Sequence, residues 1–251
     1  MLSEGLKIAR GAYLATLDSD DTWEPSFVER SIQILESNQL DFVFSNWMQD
    51  NGEKEFVDRF SICKVLEETL KKNTNNTIVL NNSELRDIYL SGCPSPSSSL
   101  VFKKDAIASN WSSGLKIADD WCFIMDIVFN KSTKAGFTRD VLWQKNVDGQ
   151  NIYDGKDMYV VIRDLWIHDQ KFLSKRFNNN LSKEEKKKLR ENLAHNYLIY
   201  SYFQFSQNKK IISGIKYFVL AVLANNKIVF SAFSIMKVKT KNAIKRLKFI
   251  Q

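Results

Sequence analysis

The chain has little of what several common protein classes are built from. Its 251 residues include only 9 Gly and 3 Pro, which argues against a low-complexity or disordered protein. The three cysteines, Cys63, Cys93 and Cys122, are odd in number, far apart and form no Cys-x-x-Cys pair. The only histidines, His168 and His195, fall in helical context and read as structural or surface residues. Neither a disulfide framework nor a zinc site is expected, and a reducing cytoplasm is the predicted compartment. Long apolar runs are missing too. Met1 to Arg10 carries Glu4, Lys7 and Arg10 and lacks the continuous apolar stretch of a signal peptide. Tyr217 to Ala224 is much too short to cross a bilayer. No transmembrane helix is predicted. Acidic residues stop at Glu191. The ten Lys and Arg residues beyond it give residues 192–251 a charge of +10, which against a total of +7 leaves −3 for the rest.

Apolar material is plentiful, with 44% hydrophobic and 12% aromatic residues, enough for one sizeable core or a core with an appended module. Tyr13-Leu14-Ala15-Thr16-Leu17 reads as a buried strand that ends in acidic residues. Pro25 suits the first turn of a following helix, whose apolar face is Val28, Ile32 and Leu35 with Phe27 and Ile34 beside them. Phe42-Val43-Phe44 is a second buried strand, and Ser97 to Phe102 a third, entered through Pro94-Ser95-Pro96. Leu66 to Asn82 is polar and Asn-rich, so its later part reads as a surface loop. Asp119-Asp120-Trp121 opens a helical stretch through Phe129. Near position 150 the character changes. Ser182 and Glu185 form a capping box, and helices joined by turns at Gln207–Lys210 and Asn225–Lys227 follow. The expectation is an α/β domain over residues 1–150 and an α-helical region with a basic tail over 151–251.

Three chemistries could use the acidic turn Asp18-Ser19-Asp20-Asp21. An EF-hand loop accommodates Asp18, Asp20 and Glu29, but its sixth position demands Gly and here is Trp23. A phosphatase of the haloacid dehalogenase type would use Asp18 as nucleophile and Asp20 as general acid, with Thr22 completing the strand-end motif and Asp119-Asp120 as later metal-binding acids. That family wants a small, flexible residue near position 21 and no bulky Trp23-Glu24-Pro25 after it. The third chemistry is sugar transfer at a metal-bound diphosphate. A turn that only caps a helix accounts for one Asp and not for three.

The run from Gly5 through Ala9, Gly11 and Tyr13 into Leu17-Asp18-Ser19-Asp20-Asp21, with Trp23 and Pro25 just after, closely resembles glycosyltransferase family 2 over about twenty consecutive residues. The resemblance implies a GT-A type domain in which Asp20 ligates Mg²⁺ or Mn²⁺, and Asp18 contacts the nucleotide sugar or the metal. Asp21 would belong to the same nucleotide-sugar site. Hard cations of this kind take oxygen donors, few from protein and the rest from phosphate and water. Ile117-Ala118-Asp119-Asp120-Trp121 stands where the family carries a Glu-Asp-Trp-like pair, with Asp119 where Glu is usual. By that resemblance Asp120 is the general base of an inverting transfer and Asp119 an acceptor contact. Two acids at a helix start are also electrostatically favourable with no further role. Trp143 to Ile152 is the counterpart of a family segment with Arg and a metal-approaching His; Lys145 replaces the Arg, and Asp148, near the His position, is a third candidate metal ligand.

The family's earlier βα units, with their Asp-Asp-Gly-Ser signature, have no counterpart here. The expectation is therefore a truncated transferase with weak or absent nucleotide-sugar binding, and the rival reading is a non-catalytic fragment or interaction module. The expected partners are a nucleotide-diphospho-sugar donor and a glycan or lipid-linked acceptor of bacterial surface polysaccharide synthesis. Lys237, Lys239, Lys241, Lys245, Arg246 and Lys248, interleaved with apolar residues, suit either a solvated helix end or contact with an anionic membrane surface. No recognised nucleic-acid motif accompanies the charge, so nucleic acid is not an expected partner.

Overall fold

The computed structural model describes residues 2–50, 55–109, 114–146 and 156–228. Asp148 and the basic residues of the tail beyond position 228 lie outside the described residues. Contacts divide the chain into two units: Met1–Ser113 with Asp119–Asp154, and Gly114–Ala118 with Gly155–Gln251.

The first unit runs through α1 (Leu2–Ile8), β1 (Tyr13–Ala15), β2 (Thr22–Trp23), α2 (Phe27–Asn38), β3 (Phe42–Asp50), β4 (Phe56–Asp58), α3 (Arg59–Ile62), α4 (Glu67–Lys72), β5 (Thr77–Leu80), α5 (Asn82–Ser91), β6 (Leu100–Lys103), α6 (Asp119–Asn130) and β7 (Ala135–Lys145). Its strands form one sheet in the order β1-β6-β3-β7-β2, with β4 on β3 and β5 on β7. Six consecutive residues of β3, Phe42 to Trp47, are buried, as expected of a strand covered on both faces. The β3–β7 pair is parallel, and the other pairings among the described strands are antiparallel. The sheet is thus mixed. β6 runs against its two neighbours β1 and β3, so β1, β3 and β7 share one direction.

A bulge breaks the β3–β7 register. Ser45 faces Thr138 and Asn46 faces Val141, which leaves Arg139 and Asp140 looped out of the ladder. Both are used. Arg139 donates to the carbonyls of Leu70 (2.8 Å) and Asn73 (2.6 Å), and Asp140 accepts from Arg30 (3.2 Å) and Asn76 (2.9 Å). The buried Asn46 amide fills the gap. Its oxygen accepts from the backbone N–H groups of Trp47 and Phe60, and its nitrogen donates to Asp58 and the Arg139 carbonyl. Gly136 has a steric reason to be glycine. A Cβ there would lie 2.9 Å from the Ile78 carbonyl oxygen and 2.9 Å from Leu40, blocking the approach of β5.

Four local expectations change. β1 stops at Ala15, lies at the end of the sheet order and leaves Leu17 exposed, because the chain must leave the ladder to form the acidic turn. The buried stripe of α2 is Phe27, Ser31, Ile34 and Leu35, whereas Val28 is 42% exposed. Trp23 stacks on Phe27 at 4.3 Å and turns that side inward. The Asn-rich segment holds α4 and the strand β5, whose Ile78 and Leu80 are buried. Residues Ser97–Ser99 are a 3-10 turn rather than strand, since the Ser99 N–H and hydroxyl both donate to the Pro96 carbonyl.

The second unit is helical. α7 (Met158–Val161), a π-wound segment Ile162–Asp169 and α8 (Gln170–Arg176) follow one another, then α9 (Lys183–Ser206) and α10 (Ile211–Ala224). Ser182 and Glu185 make both hydrogen bonds of a capping box at the start of α9. Ile162, Ile167, Leu198 and Phe203 belong to its core. Asp169 is fully buried, and its carboxylate accepts from the backbone N–H groups of Lys116, Ile117 (2.7 Å) and Ala118 (2.9 Å) and bonds His168 Nδ1 (2.7 Å). Backbone donors of this kind offset the cost of burying a charge. No helix among the described residues is long and apolar enough to cross a membrane.

Phe44 stacks on Phe137 (5.1 Å) and meets Phe60 edge-on (6.0 Å) with no exposed surface. Phe44→Ala should lower stability by about 3–5 kcal/mol, read from denaturant unfolding followed by tryptophan fluorescence.

Candidate active site

Asp18 to Asp21 form a four-residue turn closed by the Asp21 N–H donating to the Asp18 carbonyl at 3.1 Å. It leaves β1, paired with β6, and returns as β2, paired with β7. The segment therefore passes the ends of the strands that lie between. Two serines about eighty residues away hold it. The Ser97 hydroxyl donates to Asp18 Oδ2 at 2.5 Å. The Ser98 hydroxyl donates to Asp21 Oδ2 at 2.6 Å and accepts from the Asp18 N–H at 3.0 Å. Thr16 Oγ1 donates to the Ser97 carbonyl and Trp23 Nε1 to the Ser98 carbonyl. From the end of β7, the Asn146 amide donates to the Asp20 carbonyl at 2.7 Å.

This scaffold crowds carboxylates. Burial raises Asp21 to about 6; the Ser98 hydrogen bond and the Lys145 charge pull the other way, while Asp20 and Asp18 push it further up. Asp21 Oδ1 is buried without a hydrogen-bond partner. Asp119 and Asp120 begin α6, and burial raises Asp120 to about 7, with the charges of Asp119 and Asp18 adding to the rise. The Trp121 N–H (2.6 Å from Asp120 Oδ1) and Lys145 oppose it. Asp18, Asp119 and Lys145 are therefore close enough for their charges to act on Asp120. Near Asp120 lie two more weak acids. Burial, then the neighbouring Cys93, pushes the Tyr89 hydroxyl well up, and burial, then Asp120, does the same to the Cys93 thiol. Both stay neutral at neutral pH and bring no compensating positive charge. Tyr89 is held by Ser95 (2.6 Å), and Trp121 Nε1 donates to the Tyr89 carbonyl (2.8 Å).

For a metal, the donor set is limited. Among the described residues no group of three or more His, Cys, Asp and Glu side chains is placed to hold an ion. The Asp20 carboxylate is part-buried and makes no hydrogen bond to other described residues, and Asp21 has its unpartnered oxygen. One or two hard oxygen donors fit a cation that takes its remaining ligands from a diphosphate and water. His168 and His195 both lie in the helical second unit, His168 paired with Asp169 and His195 on α9.

Residues 2–86 match the family model described as glycosyl transferase family 2. The match covers about the first third of the chain and includes the acidic turn. Over 52 residues the chain is 42% identical to UDP-Glc:alpha-D-GlcNAc-diphosphoundecaprenol beta-1,3-glucosyltransferase WfaP of Escherichia coli, a stretch that spans 21% of this chain and 20% of that protein. The structure of S. aureus TarS 1-349 shares the fold, with a TM-score of 0.53 and 16% identity over 88% of this chain and 58% of that one. The chain so spans about a fifth of the curated relative and under two thirds of the solved one. The common fold is a mixed α/β domain with a central sheet, followed by helices. The family match takes in the acidic turn and ends before Ser97, Asp120 and Lys145, which join it only through the fold.

Ser97, Ser98, Tyr89 and Asn146 surround the candidate acids, and the sequence by itself assigned none of them a role. The hint in the sequence is the cluster Ser95 to Ser99 between Pro94 and an apolar strand, too polar for a buried position without a partner. Ser98→Ala removes one partner from both the Asp21 carboxylate and the Asp18 N–H. It should cost roughly 1–3 kcal/mol in denaturant unfolding, and Ser98→Thr should recover part of that.

Asp120 gives a pH signature. Its folded-state value of about 7 lies above that of an ordinary Asp, so between about pH 4 and 7 the fold holds a proton that the unfolded chain has released. Its contribution to stability is full at low pH and is lost as pH rises through about 7. Asp120→Asn should accordingly raise stability at about pH 8 by roughly 1–3 kcal/mol and leave it nearly unchanged at about pH 4, read from thermal melts.

Proposed function

We propose that this chain transfers a sugar from a nucleotide diphosphate donor to a hydroxyl group of a glycan or lipid-linked acceptor, with inversion at the anomeric carbon. The observation that carries the reading is the apposition of Asp120, with its proton affinity raised to about 7, to the Asp18 end of the acidic turn and to Lys145. A carboxylate whose pKa lies near the working pH is suited to take a proton from an attacking hydroxyl. In this reading Asp120 accepts that proton while the acceptor oxygen bonds to the anomeric carbon. The bond from that carbon to the diphosphate breaks with its electron pair on the leaving group. Asp119 contacts the acceptor, and Asp18 and Asp21 shape the donor site.

Asp20, aided by Asp18, would hold Mg²⁺ or Mn²⁺. When bound, the cation would neutralise charge on the departing diphosphate. Lys145 adds positive charge to the same place. The acceptor class is supported by the name of the Escherichia coli relative, which specifies a sugar on diphosphoundecaprenol. That in turn favours a role in bacterial surface polysaccharide synthesis at the inner face of the cell membrane.

The test combines UDP titration in the presence of Mn²⁺ with UDP release from a panel of UDP-hexoses and a lipid-linked sugar diphosphate acceptor. Asp120→Asn should lower kcat by about 10²–10⁴-fold and leave UDP affinity unchanged. Asp20→Asn should weaken the Mn²⁺-dependent part of UDP binding by about tenfold or more. A wild-type chain with neither transfer nor metal-dependent UDP binding would instead be a non-catalytic module built on the same fold.

A further inference from the structure

α10 reads Ile-Ile-Ser-Gly-Ile-Lys-Tyr-Phe-Val-Leu-Ala-Val-Leu-Ala from Ile211 to Ala224, with Lys216 its single charge. A helix that is apolar on every side is ordinarily enclosed by protein or by lipid. Here only one side is enclosed. Gly214 and Ala221 are buried, and the Ser201 hydroxyl of α9 donates to the Gly214 carbonyl at 2.7 Å. A Cβ on Gly214 would meet the Phe205 ring at 2.6 Å, so glycine sets how closely the two helices approach. The opposite side is open. Ile211 is 65% exposed, Ile212 86%, Ile215 53%, Val219 47% and Leu223 77%. At the helical period these five positions share a stripe about 120° wide, far more apolar surface than a solvated helix usually presents.

The surroundings of the stripe indicate its occupant. Lys216 borders the stripe on the helix, Lys209 and Lys210 directly precede the helix and Lys227 follows it, and all four are exposed. No acidic residue follows Glu191 anywhere in the sequence. A two-fold pairing of this face with itself would set the same lysines against each other, whereas an anionic bilayer attracts them. Fourteen residues give a helix only about 21 Å long, short of the roughly 30 Å hydrocarbon core, so the helix cannot span and must lie flat. We propose that the exposed face of α10 docks in the plane of an anionic membrane surface, with Ile211, Ile212, Ile215, Val219 and Leu223 at the acyl boundary and the lysines at the phosphates. This contact is separate from the one expected of the tail beyond position 228, and it does not depend on the sugar-transfer reading.

Flotation of the full chain with phosphatidylcholine vesicles, with and without about 30% phosphatidylglycerol, tests it. Binding should require the anionic lipid and weaken as salt is raised. Ile212→Glu combined with Leu223→Glu alters only exposed positions and should reduce binding about tenfold or more, while circular dichroism shows the helices intact. Lys210→Glu combined with Lys216→Glu should do likewise with the apolar stripe untouched. Full binding by either variant, or no binding by the wild type, would overturn the proposal. So would a wild-type dimer in light scattering that the Ile212→Glu, Leu223→Glu variant disperses, since a second copy would then be the occupant.

Discussion

The parallel ladder between β3 and β7 is the constraint on which the first unit depends. β3 is bonded to β6 on one side and β7 on the other, so it sets the position of β1 through β6 and of β2 through β7. Because β3 and β7 run the same way, the carboxyl end of β7 arrives at the end of the sheet where β1 turns away. Lys145 and Asn146 reach the acidic turn for that reason. The bulge at Arg139 and Asp140 shifts the register partway, and Trp47 consequently faces Trp143. Those two rings stack at 5.1 Å. A slip of one residue would turn Lys145 and its neighbours to the opposite face.

At that end of the sheet the dominant energy is the loss of hydration around carboxylates. Five Asp side chains, from the turn and from the start of α6, are gathered with Lys145 as the cation that acts on both Asp21 and Asp120. Serine hydroxyls and backbone N–H groups recover part of the cost through hydrogen bonds to charge, which are stronger than neutral ones. The remainder is left as raised proton affinity at Asp21 and Asp120. Native structures keep such uncompensated groups where a ligand or a proton-transfer step can use them, and they lose some stability by doing so.

The helical second unit solves a different problem. Asp169 gains backbone donors from Lys116, Ile117 and Ala118, and α9 with α10 encloses an aromatic and aliphatic core. Its surface is unequal. The side of α10 that meets α9 is shaped by Gly214, while the other side carries isoleucine, valine and leucine into solvent. The lack of acidic residues after Glu191 gives that exposed side a single sign of charge.

The features legible in the sequence are those whose causes are local. The acidic turn follows a short apolar strand, and the Ser182–Glu185 box closes within one helical turn. The helix opened by Asp119 and the α9–α10 pair follow from apolar spacing and turn residues nearby. The inward face of α2 was legible in part: Phe27, Ile34 and Leu35 are buried as expected, whereas Ser31 lies inward and Val28 outward, alongside the stacking of Trp23 on Phe27. β5 was hidden because its four residues sit among asparagines and owe their strand to pairing with β7. Ser97 and Ser98 were invisible as partners of Asp18 and Asp21, being 79 and 77 residues away. By itself the sequence determined the family resemblance of the acidic segment, the class of fold and the charge asymmetry, since each rests on neighbours in the chain. Only the tertiary structure decided which groups surround those acids and how tightly they hold their protons, because desolvation and distant hydrogen bonds arise only when remote segments pack together.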